Sequence, residues 1–223
     1  MSGTDLEAVL ARLRAAELAA GRAPGAVTLL AASKQQSADT IRATAARGQR
    51  VYGENYVQEA LPKMAALADL DLSWHFIGRL QRNKTREVAA RFDWLHTLDR
   101  ADLARRLSAQ RPPDKPPLQV LIEVNVSGEA TKGGVERAEV AALAAEVRRL
   151  PRLRLRGLMC LPAPETDPER QRAAFAALRA ILLALEDPSL DTLSMGTSGD
   201  LEAAIAEGAT IVRVGTALFG ARA

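Results

Sequence analysis

Val27-Thr28-Leu29-Leu30-Ala31-Ala32-Ser33 is a short, almost continuously apolar run that follows a Pro24-Gly25 break. A strand with one wet face alternates polar and apolar residues, whereas an unbroken apolar run fits a strand covered on both faces, as in a parallel sheet. The period of two places Thr28, Leu30, Ala32 and Lys34 on one face. Upstream, apolar positions recur at helical spacing (Leu6, Val9, Leu10, Leu13), so residues 4–20 read as a helix with Thr4 or Asp5 as N-cap and Gly21 as its stop.

Downstream the same alternation repeats. Helical stretches fall near residues 37–47, 56–67, 82–91, 100–109, 136–149, 167–186 and 199–207. Between them lie strand segments at Arg50–Tyr52, Trp74–Ile77, Trp94–Thr97, Gln119–Val126, Leu153–Met159, Thr192–Met195 and Ile211–Val214. With the first strand that makes eight βα units on short connections. The expected fold class is therefore α/β, a single (β/α)8 TIM-type barrel with an extra N-terminal helix, covering residues 1–223 as one domain. A doubly wound open sheet is the alternative; eight strands suit closure better. The stretch Arg111-Pro112-Pro113-Asp114-Lys115-Pro116-Pro117 reads as a stiff loop before the fifth strand, because the βα rhythm continues unchanged beyond it.

Composition narrows the class. Apolar residues at 48% and charged residues at 26% of 223 suit a globular chain and exclude wholesale disorder. The net charge of +3 is spread along helical stretches rather than gathered in a patch, so no nucleic-acid partner is expected. No apolar run nears the roughly 20 residues needed to cross a bilayer, so no membrane partner is expected. The N-terminus lacks a signal-peptide layout, and the lone Cys160 cannot pair within the chain, so the expected location is cytoplasmic.

In a barrel of this kind, function belongs at the C-terminal ends of the strands. That rule selects Ser33-Lys34, Gly53-Glu54-Asn55, Gly78-Arg79, Asn125 with Ser127 and the loop Thr131-Lys132-Gly133-Gly134, the run Ser194–Asp200, and Arg213-Val214-Gly215-Thr216. Loops seven and eight are rich in Gly, Ser and Thr and lead into helix starts. Barrels bind phosphate there through exposed backbone N–H groups, which makes Ser198, Gly199, Gly215 and Thr216 the expected cradle. The plainer reading makes these residues turns and caps, with Ser198 capping the next helix. Lys34 faces that cradle across one mouth. A desolvated lysine can form a Schiff base, so the pair points to a phosphorylated carbonyl compound: pyridoxal phosphate, or the sugar phosphate of a lysine aldolase. Arg213 would point inward two residues before Gly215 and needs an acceptor, either a pyridine nitrogen or a buried partner such as Glu123.

Several motifs, in order, carry a resemblance: Ser33-Lys34; Tyr52-Gly53-Glu54-Asn55-Tyr56-Val57-Gln58-Glu59; Trp74-His75-Phe76-Ile77-Gly78-Arg79-Leu80-Gln81-Arg82-Asn83-Lys84; Glu123-Val124-Asn125 with Lys132-Gly133-Gly134; Gly157-Leu158-Met159; Leu193–Asp200; and Val212–Gly220. The series resembles the pyridoxal phosphate homeostasis proteins, from the first strand to the end of the chain. The resemblance implies a barrel like the N-terminal domain of alanine racemase, with pyridoxal 5′-phosphate on Lys34. It also implies phosphate contacts from Ser198, Gly215 and Thr216, Arg213 at the pyridine nitrogen, and Asn55 near the ring. It further implies a carrier or buffer of the cofactor with no established reaction, apo forms of pyridoxal-phosphate enzymes as recipients, and a monomer or weak dimer. Gln35-Gln36 and Thr197 depart from the usual pattern, where a Thr or Lys near a Pro, and a Met, are common.

A small racemase-like enzyme is the competing reading. Its usual second base is a tyrosine from another domain, and the only tyrosines are Tyr52 and Tyr56. A sugar-phosphate aldolase leaves Arg213 unexplained, and nothing in the sequence names a partner for an interaction module. His75 reads as a hydrogen-bonded core histidine, and His96 carries a weaker signal. Two histidines and one cysteine far apart give no metal signature. Arg79, Arg82 and Lys84 form a basic cluster that is either an anion-binding rim or a solvated helix start. Lys132 does not follow a nucleotide-binding pattern.

Overall fold

The computed structural model describes residues 5–129 and 133–220; Thr4, Thr131 and Lys132, named above, lie outside them. Eight strands close into a parallel barrel in sequential order: β1 (Thr28–Ala32), β2 (Val51–Glu54), β3 (Ser73–Phe76), β4 (Trp94–Leu98), β5 (Leu118–Glu123), β6 (Leu153–Met159), β7 (Thr192–Ser194) and β8 (Ile211–Val214). Pairing of β1 with β8, Thr28 opposite Ile211 and Leu30 opposite Arg213, closes the ring and excludes the open doubly wound sheet.

The helices are α1 (Leu6–Ala19), ahead of the first strand, then α2 (Ala38–Ala46), α3 (Val57–Ala66), α4 (Thr85–Arg91), α5 (Ala101–Gln110), α6 (Val140–Arg148), α7 (Pro168–Leu183), α8 (Leu201–Ala206) and α9 (Thr216–Phe219). Local chemistry sets several starts. The Ser37 hydroxyl accepts from the Thr40 N–H at the head of α2, and Asp167 accepts from Glu169 at the head of α7, where Pro168 takes the first turn. Single 3₁₀ turns, Arg82–Lys84 and Arg137–Glu139, lead into α4 and α6. The Pro-rich stretch is a loop, and buried Arg111 holds it by donating to the carbonyls of Ala89, Phe92 and Pro116.

The main apolar cluster lies between the outward face of the barrel and the helices, and includes Leu29, Ala31, Tyr52, Phe76, Leu95, Val120 and Val212. Leu30, Leu121 and Ile211 are equally buried but stand apart from it, on the inward strand parity. Two glycines make the closure fit. A Cβ on Gly53 would sit 2.4 Å from Leu30 Cδ2 and 2.9 Å from Ile77 Cδ1, inside the barrel. Gly157 has φ +154, and a Cβ there would be 1.9 Å from the Thr192 carbonyl oxygen of the neighbouring strand.

Fifth-strand pairing ends at Glu123, three residues short of the expected Val126; Val124 still donates to the Met159 carbonyl of β6 at 2.8 Å and forms an isolated bridge with Val135. Among the described residues no helix is long and apolar enough to cross a membrane.

Candidate functional site

Lys34 follows β1 in a tight turn: the Gln36 N–H donates to the Ser33 carbonyl at 3.0 Å, and Gln35 takes a left-handed φ of 63. A residue with a Cβ is costly there, and such strain collects at functional sites. A buried ion pair anchors the turn from below. Lys63 Nζ donates to Glu54 Oε1 (2.9 Å), Glu54 Oε2 (3.0 Å) and the Ser33 carbonyl (2.9 Å), and the Ser33 hydroxyl donates to Glu54 Oε1 at 2.6 Å. Burial pushes the Glu54 carboxyl above its ordinary value, against the pull of Ser33 and Lys63.

The structure brings all six expected cofactor residues to one cavity of about 390 Å³ at the C-terminal mouth: Lys34, Asn55, Ser198, Arg213, Gly215 and Thr216. Ala32, Gln36, Ile77, Leu161, Phe219 and Gly220 also line it, and sequence reading had missed them. Among the apolar members only strand parity marks Ala32, on the face of Lys34, and Ile77; Leu161 and Phe219 carry no distinguishing pattern in one dimension. Asn125 and Arg79, also strand-end residues, stand outside this cavity. Asn125 Nδ2 donates to the Glu129 carbonyl, and Arg79 shares a separate pocket of about 280 Å³ with Tyr56 and Lys84.

On the cradle side, Ser198 does not cap its own helix. Asp200 stands at the N-cap of α8 and accepts from Thr197, whereas Ser198 Oγ accepts from the Ala217 N–H of the eighth loop at 3.3 Å. The two Gly/Ser/Thr loops are thus joined to each other. Helix α1 braces them: Arg12 donates to the Ser198 carbonyl at 2.8 Å and pairs with Glu202, while the Asp5 N–H donates to the Leu218 carbonyl. Among the described residues, no protein acceptor takes the N–H groups of Ser198, Gly199, Gly215 or Thr216. They are free for an anion at two converging loop ends.

Arg213 is buried, and it makes no ion pair with Glu123. Nη1 donates to Ser194 Oγ at 2.7 Å and Nη2 to the Cys160 carbonyl at 2.9 Å. Burial lowers its affinity for its proton, with Asp200 and Glu123 opposing. Glu123 is left as a carboxyl pushed up to about 7, first by burial and then by the Asp99 carboxylate, with Arg213 and Arg79 pulling the other way. Glu123, Glu165 and Asp200 line an adjoining cavity of about 530 Å³ that shares Leu161, Thr197 and Gly199 with the first.

His75 is the buried, hydrogen-bonded core histidine expected of it, held by Ser73 Oγ at 3.1 Å and His96 Nε2 at 2.8 Å, and burial pushes its pKa down to about 3. His96, read as the weaker signal, is fully buried and bonds Ser194 Oγ at 2.9 Å. Its pairing with His75 follows from β3 and β4 being neighbours, a fact of register that spacing along the chain does not carry.

The family model for "Alanine racemase, N-terminal domain" matches residues 4–223. A "Pyridoxal phosphate homeostasis protein" of Pseudomonas aeruginosa is 57% identical over 98% of this chain and 94% of its own length. The Escherichia coli protein of the same name is 50% identical over 98% of this chain and 95% of its own. PipY of Synechococcus elongatus, solved with pyridoxal phosphate bound, is 39% identical, with a TM-score of 0.81 over 95% of this chain and 100% of that one. With the closed barrel and the converged strand-end residues, these likenesses place the chain in the pyridoxal phosphate homeostasis protein family, on the alanine racemase N-terminal domain fold.

Proposed function

We propose that this chain binds pyridoxal 5′-phosphate through a Schiff base on Lys34 and serves to carry or buffer the cofactor. The observation that carries the reading is the convergence of Lys34, Asn55, Ser198, Arg213, Gly215 and Thr216 on one cavity of about 390 Å³, a size typical of small-ligand sites. A second observation tests the fit. Asn55 Oδ1 is buried without a hydrogen-bond partner while its residue lines the cavity, an acceptor left open for a ligand.

Each residue has a role in this reading. Ser198, Gly215 and Thr216 would hold the phosphate on hydroxyls and free N–H groups, and the Lys34 ε-amine would condense with the aldehyde, its oxygen leaving as water. Arg213 would donate toward the ring nitrogen, and Asn55 would lie near the ring. When bound, pyridoxal phosphate supplies an electron sink whose strength depends on protonation of that nitrogen. A guanidinium that keeps its own proton disfavours ring protonation, which suits holding the cofactor better than turning over an amino acid.

The tyrosines support a carrier over a racemase. Tyr52 points out beneath α2 and donates to the Ile41 carbonyl, and burial raises its pKa; Tyr56 is exposed and lines the separate pocket beside Arg79. Neither lines the cavity opposite Lys34.

The test is the visible absorption of the purified protein with added pyridoxal phosphate, beside Lys34→Ala. The parent gains the band of a lysine-bound cofactor, borohydride fixes the label on the peptide containing Lys34, and Lys34→Ala does neither. A saturated parent without the band overturns the reading. Turnover of L- or D-amino acids at enzymatic rates overturns the carrier half of it.

A further inference from the structure

A continuous hydrogen-bonded chain crosses the barrel interior beneath the proposed ring site. Ser73 Oγ meets His75 Nε2 at 3.1 Å, His75 Nδ1 meets His96 Nε2 at 2.8 Å, and His96 Nδ1 meets Ser194 Oγ at 2.9 Å. Ser194 Oγ then takes Arg213 Nη1 at 2.7 Å. Strands β4 and β7 are not neighbours, so the His96–Ser194 bond spans the interior itself. From His75 to Arg213 every member is buried; Ser73, at the start of β3, is partly exposed.

We infer that Ser194 and His96, backed by His75 and Ser73, are positioning residues that hold Arg213 as a fixed donor toward the ring nitrogen. The ring-nitrogen part of this rests on the function proposed above. Proton accounting gives the chain one direction. Arg213 can only donate, so Ser194 Oγ must accept from it. The Ser194 hydrogen then has one remaining acceptor, His96 Nδ1. His96 therefore carries its proton on Nε2 and donates to His75 Nδ1, and His75 carries its proton on Nε2 and donates to Ser73. The reverse direction would leave the Ser194 hydroxyl hydrogen buried without an acceptor. A guanidinium does not give up its proton, so the chain is no proton exit. It sets the angle of Arg213.

The first experiment uses the unliganded protein and needs no cofactor. The chain has two histidines, so a long-range ¹H–¹⁵N spectrum of untagged protein resolves both rings. Both are expected neutral, with the proton on Nε2, from pH 5 to pH 8. A ring protonated on Nδ1, or one that titrates in that range, overturns the chain.

The second experiment measures pyridoxal phosphate affinity and the bound absorption spectrum in Ser194→Ala, His96→Leu and His96→Asn. Loss of a hydrogen bond to a charged group corresponds to roughly 10- to 100-fold in Kd, expected for Ser194→Ala and His96→Leu together with a shifted band. In His96→Asn the amide oxygen can accept from Ser194 in place of Nδ1, so affinity and band return to within about 3-fold of the parent. Parental affinity and band in a folded Ser194→Ala, or no recovery from Leu to Asn, overturns the positioning role. A parent that does not bind the cofactor defeats the proposed function instead, and leaves the tautomer result standing as its own test.

Discussion

Lys63→Met removes the cation that lies under the Lys34 turn. The parent Glu54 carboxylate is fully buried and has three hydrogen bonds, one from Ser33 and two from Lys63, while Lys63 also holds the Ser33 carbonyl. Removing one partner of a buried pair typically costs about 3–5 kcal/mol. Glu54 can escape by taking a proton, and that escape sets a ceiling. From an ordinary value of 4.5, neutralising a carboxylate costs about 1.4 kcal/mol per pH unit, so about 5 kcal/mol at pH 8 and about 0.7 kcal/mol at pH 5. The sign follows from linkage. A folded-state pKa raised above the unfolded one means that the folded protein holds more protons between the two values, so stability falls as pH rises through that window. Without Lys63 the window extends upward. Urea unfolding should therefore find Lys63→Met destabilised by about 3–5 kcal/mol at pH 8 and by only about 1–2 kcal/mol at pH 5, the residue of the lost bond to Ser33. A cost below about 1 kcal/mol at pH 8, or a larger cost at pH 5 than at pH 8, would refute the account of this pair.

Three other outcomes follow from specific contacts. In Gly78→Ala the new Cβ would lie 2.1 Å from the Asn55 carbonyl oxygen; overpacking of this kind costs about 1–3 kcal/mol, and displacement of Asn55 should weaken pyridoxal phosphate binding as well as lower the melting temperature. Arg111→Met leaves three carbonyls at the end of α4 and in the Pro-rich loop without their donor. It should cost about 2–4 kcal/mol by urea unfolding while the folded protein still loads cofactor to the parental extent. Burial pushes the Cys160 thiol up to about 12 from an ordinary 9.0, so a thiol reagent should leave the native protein untouched at pH 8 and label it at once in urea; rapid native labelling would contradict the buried placement.

The barrel was legible because its signals are local. The nearly continuous apolar run of β1 and the intervening helical periodicity each follow from a few adjacent residues, and eight repeats in order leave closure as the natural result. The six cavity residues were legible for a related reason: strand ends in a barrel of known hand all deliver their side chains to one mouth, so position along each strand stands in for position in space. The element ends were less so. Strand β5 stops at Glu123 and Val124 bridges Val135, and no local pattern announces that bridge.

By itself, then, the sequence determined which elements form, which strand ends face the mouth, and that a lysine and two Gly/Ser/Thr loops would meet there. Only the tertiary structure decided what each polar group does on arrival. It turned Ser198 from a cap of α8 into a link between the two loops, gave Arg213 a serine and a carbonyl in place of Glu123, and set two histidines 21 positions apart in one buried chain with Ser194. The physical reason is range. Periodicity and capping act within a turn or a strand, whereas the choice of a buried hydrogen-bond partner depends on barrel register and on which acceptors are already taken, quantities that exist only once all eight strands are in place.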